Sequence, residues 1–304
     1  VLAAPAVTIP VAAWYAARLT RPQMHCDWQA ISQQWQAMLK FGIPLMVAGL
    51  LTLATQLAAR SIILRELGLD AAGYFQAAWA VSMTYIGFVL GAMGADYFPR
   101  LTATINDHPQ ARKLVDEQAE MALLLAGPVL LGMITLAPWV IHLLYAASFA
   151  PAADVLRWQV LGDIFKVASW PMGFILLAQG RGGIFIATDV TWNVAYLGVI
   201  AVGIQEWGLA MAGVGFWIAY LIYYGLVALV ASRLIGYKLA RRNAMVTLLL
   251  LLAGGGIMFV AGQSTGAGYT VGLVVMLAAS LYSLRRLDGL VDLRGWLRRR
   301  VAGD

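Results

Sequence analysis

The sequence predicts an all-α, polytopic membrane protein built as a helical bundle, and three observations predict it. Of 304 residues, 61% are hydrophobic and only 12% charged, with a mean hydropathy of +0.76; ordinary soluble domains are roughly 45–50% apolar and about 25% charged. Apolar runs of the roughly 20 residues needed to cross about 30 Å of hydrocarbon recur along the chain. Within those runs, as at 248–252 and 271–279, apolar residues are continuous rather than alternating, which excludes the strands of a spanning β-barrel. This composition excludes a soluble enzyme and a disordered chain. The single cysteine, Cys26, excludes a disulfide framework and a thiolate metal cluster.

The chain opens on Val1 with no cationic segment ahead of its first apolar run, unlike a signal peptide, and is expected to be a piece of a longer protein. Residues 1–17 read as the end of a truncated transmembrane helix. Residues 18–40 read as a cytoplasmic linker in which Asp27 can cap an amphipathic helix. Its Trp28, Ile31, Trp35, Met38 and Leu39 share one face, suited to the headgroup layer. Full spans follow at 41–64, 72–97, 121–145, 155–178, 184–205 and 208–232, then at 244–262 and 269–284. Turn-formers such as Asn106-Asp107-His108-Pro109 and the glycine-bearing stretch 262–268 separate them. In the basic tail, 285–304, leucines alternate with Arg294 and Arg298 to Arg300; a headgroup helix and a solvated tail both fit that pattern.

The basic residues orient this map. Alternate loops hold Arg18, Arg21 and Lys40; Arg100, Arg112 and Lys113; Arg181; and Arg233, Lys238, Arg241 and Arg242. With Arg285, Arg286, Arg294 and Arg298 to Arg300 of the tail, these make 17 of the 21 Lys and Arg residues. The other loops hold Arg60, Arg65 and Arg157, and Lys166 lies within a span. Lysine and arginine collect on the cytoplasmic side, so this pattern places the C-terminus in the cytoplasm. The net charge of +6 therefore reports orientation and lipid contact rather than a nucleic-acid partner.

Charge inside a bilayer costs at least roughly 2.5–3.5 kcal/mol per residue, so each instance calls for a reason. Asp163 and Lys166 stand at i and i+3, with Gln159 and Trp170 on the same stripe, and the stripe is expected to line a polar cavity as well as neutralise itself. Asp163 lies roughly 12 Å from the outer boundary. Gln56 and Arg60 share a face at i, i+4, and Arg60 is near enough to the outer end to snorkel. Asp96 and Asp189 lie near cytoplasmic ends. Pairing with Arg100 or Arg181 is the simpler role for both, and coupling or gating is the functional one. Pro44, Pro128, Pro138 and Pro171 fall inside spans and can bend them. No nucleophile–base motif, HExxH, Walker A loop, dinucleotide fingerprint or channel filter occurs, and His25-Cys26-Asp27 does not preorganise a metal site. A transporter that is not an enzyme, with no cofactor and no metal, is the reading these residues carry.

Two stretches make the chain more specific. One runs Ala71-Ala72-Gly73-Tyr74-Phe75-Gln76-Ala77-Ala78-Trp79-Ala80 and leads to Asp96-Tyr97-Phe98-Pro99-Arg100-Leu101. The other is Arg157-Trp158-Gln159-Val160-Leu161-Gly162-Asp163-Ile164-Phe165-Lys166-Val167. Together they resemble the Wzx-type O-antigen and lipid III flippases, the polysaccharide-transporter branch of the multidrug/oligosaccharidyl-lipid/polysaccharide exporter superfamily. The resemblance covers about residues 35–240. It implies two six-helix lobes around a cavity that opens alternately to each side. On that plan residues 18–40 are the inter-lobe linker, 41–232 the C-terminal lobe and 233–284 two accessory transmembrane helices, with most of the N-terminal lobe absent from this chain.

The cargo so implied is an undecaprenyl-pyrophosphate-linked oligosaccharide, moved from the cytoplasmic to the periplasmic leaflet of the bacterial inner membrane. Arg60 and Lys166 match basic positions of the family pattern and suit its pyrophosphate; Gln56, Gln159 and Asp163 complete the expected cavity set. Polymerase and chain-length proteins of the same pathway are the implied partners, besides membrane lipids. A drug or cation antiporter, or a peptidoglycan-precursor flippase, is the alternative within the superfamily; Lys166 and Arg60 offset Asp163 and argue against cation extrusion. A sugar-lipid polymerase or ligase needs large outward loops, which this span map lacks.

Overall fold

The computed structural model describes residues 28–291 together with Pro10, Ala13, Trp14 and Arg18, apart from the side chains of residues 29, 30, 33, 34, 37, 290 and 291. Most of 1–17, the Asp27 cap, His25, Cys26 and the tail beyond Val291 lie outside the described residues. The chain divides into two units, Val1–Gly42 and Ile43–Asp304. In the first, the Arg18 guanidinium sits 3.7 Å from the centre of the Trp14 ring, a cation–π contact.

Eight α-helices follow among the described residues: α1 Trp28–Leu67, α2 Leu69–Thr104, α3 His108–Leu144, α4 Ala152–Ala178, α5 Gly182–Trp207, α6 Ala210–Ile235, α7 Arg241–Gln263 and α8 Thr265–Val291. Each corresponds to one of the eight full spans read from the sequence, and each is long and apolar enough to cross a membrane. No strand occurs among the described residues. The chain is therefore an all-α, multi-pass membrane protein.

The helix limits depart from the span limits where polar sequence remains helical. The amphipathic stretch 28–39 is helical, as α1 begins at Trp28, ahead of the first apolar run. Pro44 lacks the N–H that would bond Lys40, and the helix continues through it. The start of α3 lies ahead of its apolar run, at the expected turn: the Asp107 carboxylate accepts from the Gln110 amide, and Pro109 occupies the first turn. At the other end of a span, α6 stops at Gly236, whose φ of +67° suits a residue without Cβ. The stretch 262–268 is almost entirely helical, with Ser264 alone separating α7 from α8.

Helix α4 is the axis of the second unit. It touches α2, α3, α5, α6 and α7, and most of its apolar length is covered by protein rather than left for lipid. Its closest neighbour is α6, and two glycines explain the approach. A Cβ on Gly213 would stand 2.8 Å from the Val155 carbonyl oxygen, and one on Gly162 would stand 2.7 Å from the Phe216 ring. Small residues of this kind let membrane helices pack backbone to backbone. At the opposite side, α7 and α8 pack on α3. There Glu120, 2% exposed, pairs with Arg242 of α7 and Arg286 of α8, the latter at 2.9 Å. Between α6 and α7 the Tyr237 hydroxyl donates to Asp116 at 2.7 Å; burial and that carboxylate push its phenol up, so it remains a donor.

Candidate functional site

A partly enclosed cavity of about 310 Å³ opens between α1, α2, α4, α5 and α6. Its lining follows helical spacing on every wall. Helix α4 contributes Lys166, Trp170, Gly173 and Leu177, while α5 contributes Phe185, Asp189 and Trp192 at i, i+4, i+7. Helix α6 adds Phe216, Tyr220 and Tyr223 with the same period, α2 adds Trp79 and Met83, and α1 adds Leu45 and Thr52. Two opposite charges, Lys166 and Asp189, thus face one aromatic chamber.

The aromatic wall is continuous. Trp192 stacks on Tyr196 at 5.4 Å between ring centres, and Phe216 lies 4.8 Å from Tyr220 and edge-on to Trp79 at 5.9 Å. The Lys166 ammonium lies 5.6 Å from the Tyr220 ring centre and 6.0 Å from that of Phe216, and 3.5 Å from the Met83 sulfur. Its long stem crosses apolar packing and delivers the charge to the chamber, with the side chain 19% exposed.

Asp163 stands behind this wall rather than in it. Its side chain is wholly buried, with one oxygen accepting from Ser82 Oγ at 2.8 Å and from Tyr85 OH at 2.7 Å. The other oxygen lies 4.0 Å from Lys166 Nζ. Two charge-assisted hydrogen bonds and one cation offset the cost of burying the carboxylate. They also fasten α2 to α4, since Ser82 and Tyr85 belong to the former.

The remaining residues singled out in the sequence are dispersed. Gln159 is buried one turn from Asp163, and neither of its amide atoms has a hydrogen-bond partner among the described residues; it does not line the cavity. Gln56 donates to Gln76 of α2 at 3.3 Å, and Arg60 is exposed one turn further on. Asp96 forms the expected edge pair, 3.0 Å from Arg100 and exposed. Asp189 departs from that edge-pairing expectation. It accepts from the Asn193 amide at 3.2 Å and faces the cavity, with no ion pair to Arg181 among the described residues. The spans alone did not reveal the aromatic wall, although its period on α5 and α6 was a readable signal. No cluster of metal-ligating side chains occurs among the described residues.

Fold and cavity together define a class, a polytopic helical membrane protein with a charged and aromatic chamber. The comparisons with known proteins narrow it. Residues 4–154 match the family model for polysaccharide biosynthesis proteins. The lipid III flippases of Escherichia coli (strain K12) and Shigella flexneri are each 19% identical over 187 residues, which is 62% of this chain and 45% of theirs. The chain spans about half the length of the curated relatives it matches. Among solved structures, a MOP superfamily transporter from Pyrococcus furiosus shares the fold with a TM-score of 0.56 and 15% identity, over 83% of this chain and 66% of that one. The chain is similar to flippases of the MOP superfamily, the multidrug/oligosaccharidyl-lipid/polysaccharide exporters, as its motifs predict.

Proposed function

We propose that the full-length protein is a flippase that carries a lipid-linked oligosaccharide, held through an undecaprenyl pyrophosphate, from the cytoplasmic to the periplasmic leaflet of a bacterial inner membrane. One observation carries this reading: Lys166 and Asp189 share one aromatic chamber. A lysine ammonium attracts phosphate oxygens as a point charge. The faces of Trp192, Tyr220 and Trp79 suit the C–H faces of sugar rings, and Asp189 accepts from sugar hydroxyls. In this reading residues 41–232 are the C-terminal lobe, 233–284 its two accessory helices, and the chamber is closed by the lobe that precedes them. Transport is the rocking of one lobe against the other around the held sugar. Arg60, exposed in this half, would reach the pyrophosphate only across that closed cavity. Polymerase and chain-length proteins of the same pathway would take the delivered sugar.

The test is Lys166→Ala in the full-length protein, in cells lacking the native gene. Loss of surface polysaccharide with lipid-linked sugar accumulating in the cytoplasmic leaflet is expected; unchanged export at equal expression sinks the reading. Asp189 in the chamber favours one second reading, a cation or drug antiporter of the same superfamily. In that case Asp189→Asn abolishes extrusion of a cationic dye while polysaccharide export is normal.

A further inference from the structure

The ends of α2, α4 and α6 lie together at the basic end of the bundle, and between them is a second recess of about 670 Å³, separate from the chamber and predominantly polar. Its basic side chains come from three separate parts of the chain. His108 opens α3, the Arg181 guanidinium lies in the turn between α4 and α5, and that of Arg233 in the last turn of α6. Among the described residues neither guanidinium is paired with a carboxylate, whereas Arg100, Arg242 and Arg286 all are. Asn106 and Gln179 add amide groups to the same walls. The one carboxylate in the three turns, Asp107, is engaged in capping α3. Arg181 also stands at the N-terminus of α5 without capping it by its side chain, so the positive end of that helix adds to the field.

Two guanidiniums without a carboxylate partner at one recess favour an anion between them. Arginine forks favour the oxygens of a phosphate, which they grip in pairs. The recess lies at the ends of three helices long and apolar enough to cross a membrane, with Leu234 on its wall, a place that suits the phosphate of a lipid. We propose that this recess holds the phosphate of an anionic membrane phospholipid, with Arg181 and Arg233 on the phosphate oxygens and Asn106 and Gln179 donating beside them. The bound lipid then bridges the turn α4–α5, which leads into the chamber through Phe185 and Asp189, to the ends of α2 and α6. The site does not depend on what the chamber carries.

The experiment is native mass spectrometry of the purified chain in neutral detergent, titrated separately with short-chain phosphatidylglycerol, phosphatidylcholine and inorganic phosphate. One saturable phosphatidylglycerol is expected, held more tightly than phosphatidylcholine. Arg181→Ala and Arg233→Ala should each weaken it about fivefold, the worth of one basic residue at a membrane surface. Arg181→Lys, which keeps the charge and loses the fork, should fall between. Lys113→Ala removes the same charge from the same end, outside the recess, and should leave binding unchanged. Equal weakening by Lys113→Ala, or no weakening by either arginine variant, overturns the site. Inorganic phosphate binding as tightly as the lipid overturns the assignment to a phospholipid. An unchanged helical circular dichroism signal separates lost binding from lost fold.

Discussion

Asp163 and Lys166, one turn apart on α4 with 4.0 Å between their charged atoms, face opposite surroundings. The carboxylate points into protein, where Ser82 and Tyr85 donate to it; the ammonium points into the chamber, beside Tyr220 and Phe216. The pair therefore divides two tasks between neighbours. Asp163 ties α2 to α4 behind the chamber, and Lys166 presents its charge to the chamber.

That division predicts different variants. Asp163→Ala leaves two buried hydroxyls and a cation without their partner and should cost about 3 kcal/mol of stability. Asp163→Asn keeps an oxygen for Ser82 and Tyr85 and should cost about half as much. Ser82→Ala and Tyr85→Phe should each cost about 1 kcal/mol. Unfolding of the purified chain in mixed detergent micelles, followed by tryptophan fluorescence, measures all four. Equal losses for Asp163→Ala and Asp163→Asn would show that the hydroxyls do not depend on this acceptor.

Asp96 and Asp189 looked alike in the sequence, each near the basic end of a span, and their surroundings separate them. Asp96 is exposed on an i,i+4 pair with Arg100, a geometry worth about 0.3–0.5 kcal/mol. Asp189 lines the chamber. In the full-length protein Asp96→Asn should leave polysaccharide export unchanged. Asp189→Asn should lower it about tenfold, the loss of one hydrogen bond to a charged group. Pulse-labelled surface polysaccharide at matched expression measures both, and equal effects would remove Asp189 from the site.

The same contrast shows what was legible in the sequence. Span number and helical character follow from long apolar runs, because a backbone in lipid must satisfy its own hydrogen bonds within each segment. Span limits do not coincide with helix limits, because 28–39 and 108–120 are polar yet contain little that stops a helix. Lys166 was legible as a charge within a span, and Trp170 of the same stripe lines the cavity with it. The burial of Asp163 and Gln159 was not. Which side of a stripe faces a neighbour and which a cavity depends on residues far along the chain, such as Ser82 and Tyr85 of α2 and Phe216 and Tyr220 of α6. The chamber's aromatic wall comes from three helices, and only their packing brings Trp79 and Trp192 each within 6 Å of Phe216.

Glu120 predicts how the last two helices are held. Buried on α3, it receives Arg242 from α7 and Arg286 from α8, and its removal strands both cations at a helix interface. Glu120→Gln should therefore raise amide hydrogen exchange across 241–291 and leave the exchange of α4 and α6 unchanged. Arg242→Ala and Arg286→Ala should each do so more weakly, and the double variant should resemble Glu120→Gln, since coupled partners are not additive. Uniformly raised exchange would mean that α7 and α8 are an integral part of the bundle core rather than a unit clamped at this point.

The close approach of α4 and α6 gives the sharpest contrast, because glycines on one helix meet different surroundings. A Cβ on Gly213 meets the Val155 carbonyl oxygen at 2.8 Å and the Trp158 Cβ at 2.6 Å, neither of which is the end of a flexible side chain. Gly213→Ala must push the two backbones apart and should cost about 1–3 kcal/mol. Gly225, three turns further along α6, meets nothing within 4 Å. Gly225→Ala should be neutral or stabilise by up to about 1 kcal/mol, because alanine loses less chain entropy in a helix. The shift forced by Gly213→Ala also carries Phe216 and Tyr220 away from Lys166, so the variant should weaken cargo handling beyond its effect on stability. A second-site change that adds stability without restoring the α4–α6 distance, such as Gly225→Ala on the same chain, should recover at most part of the melting temperature and leave export impaired. Recovery of both together would show that the approach of the helices serves stability alone.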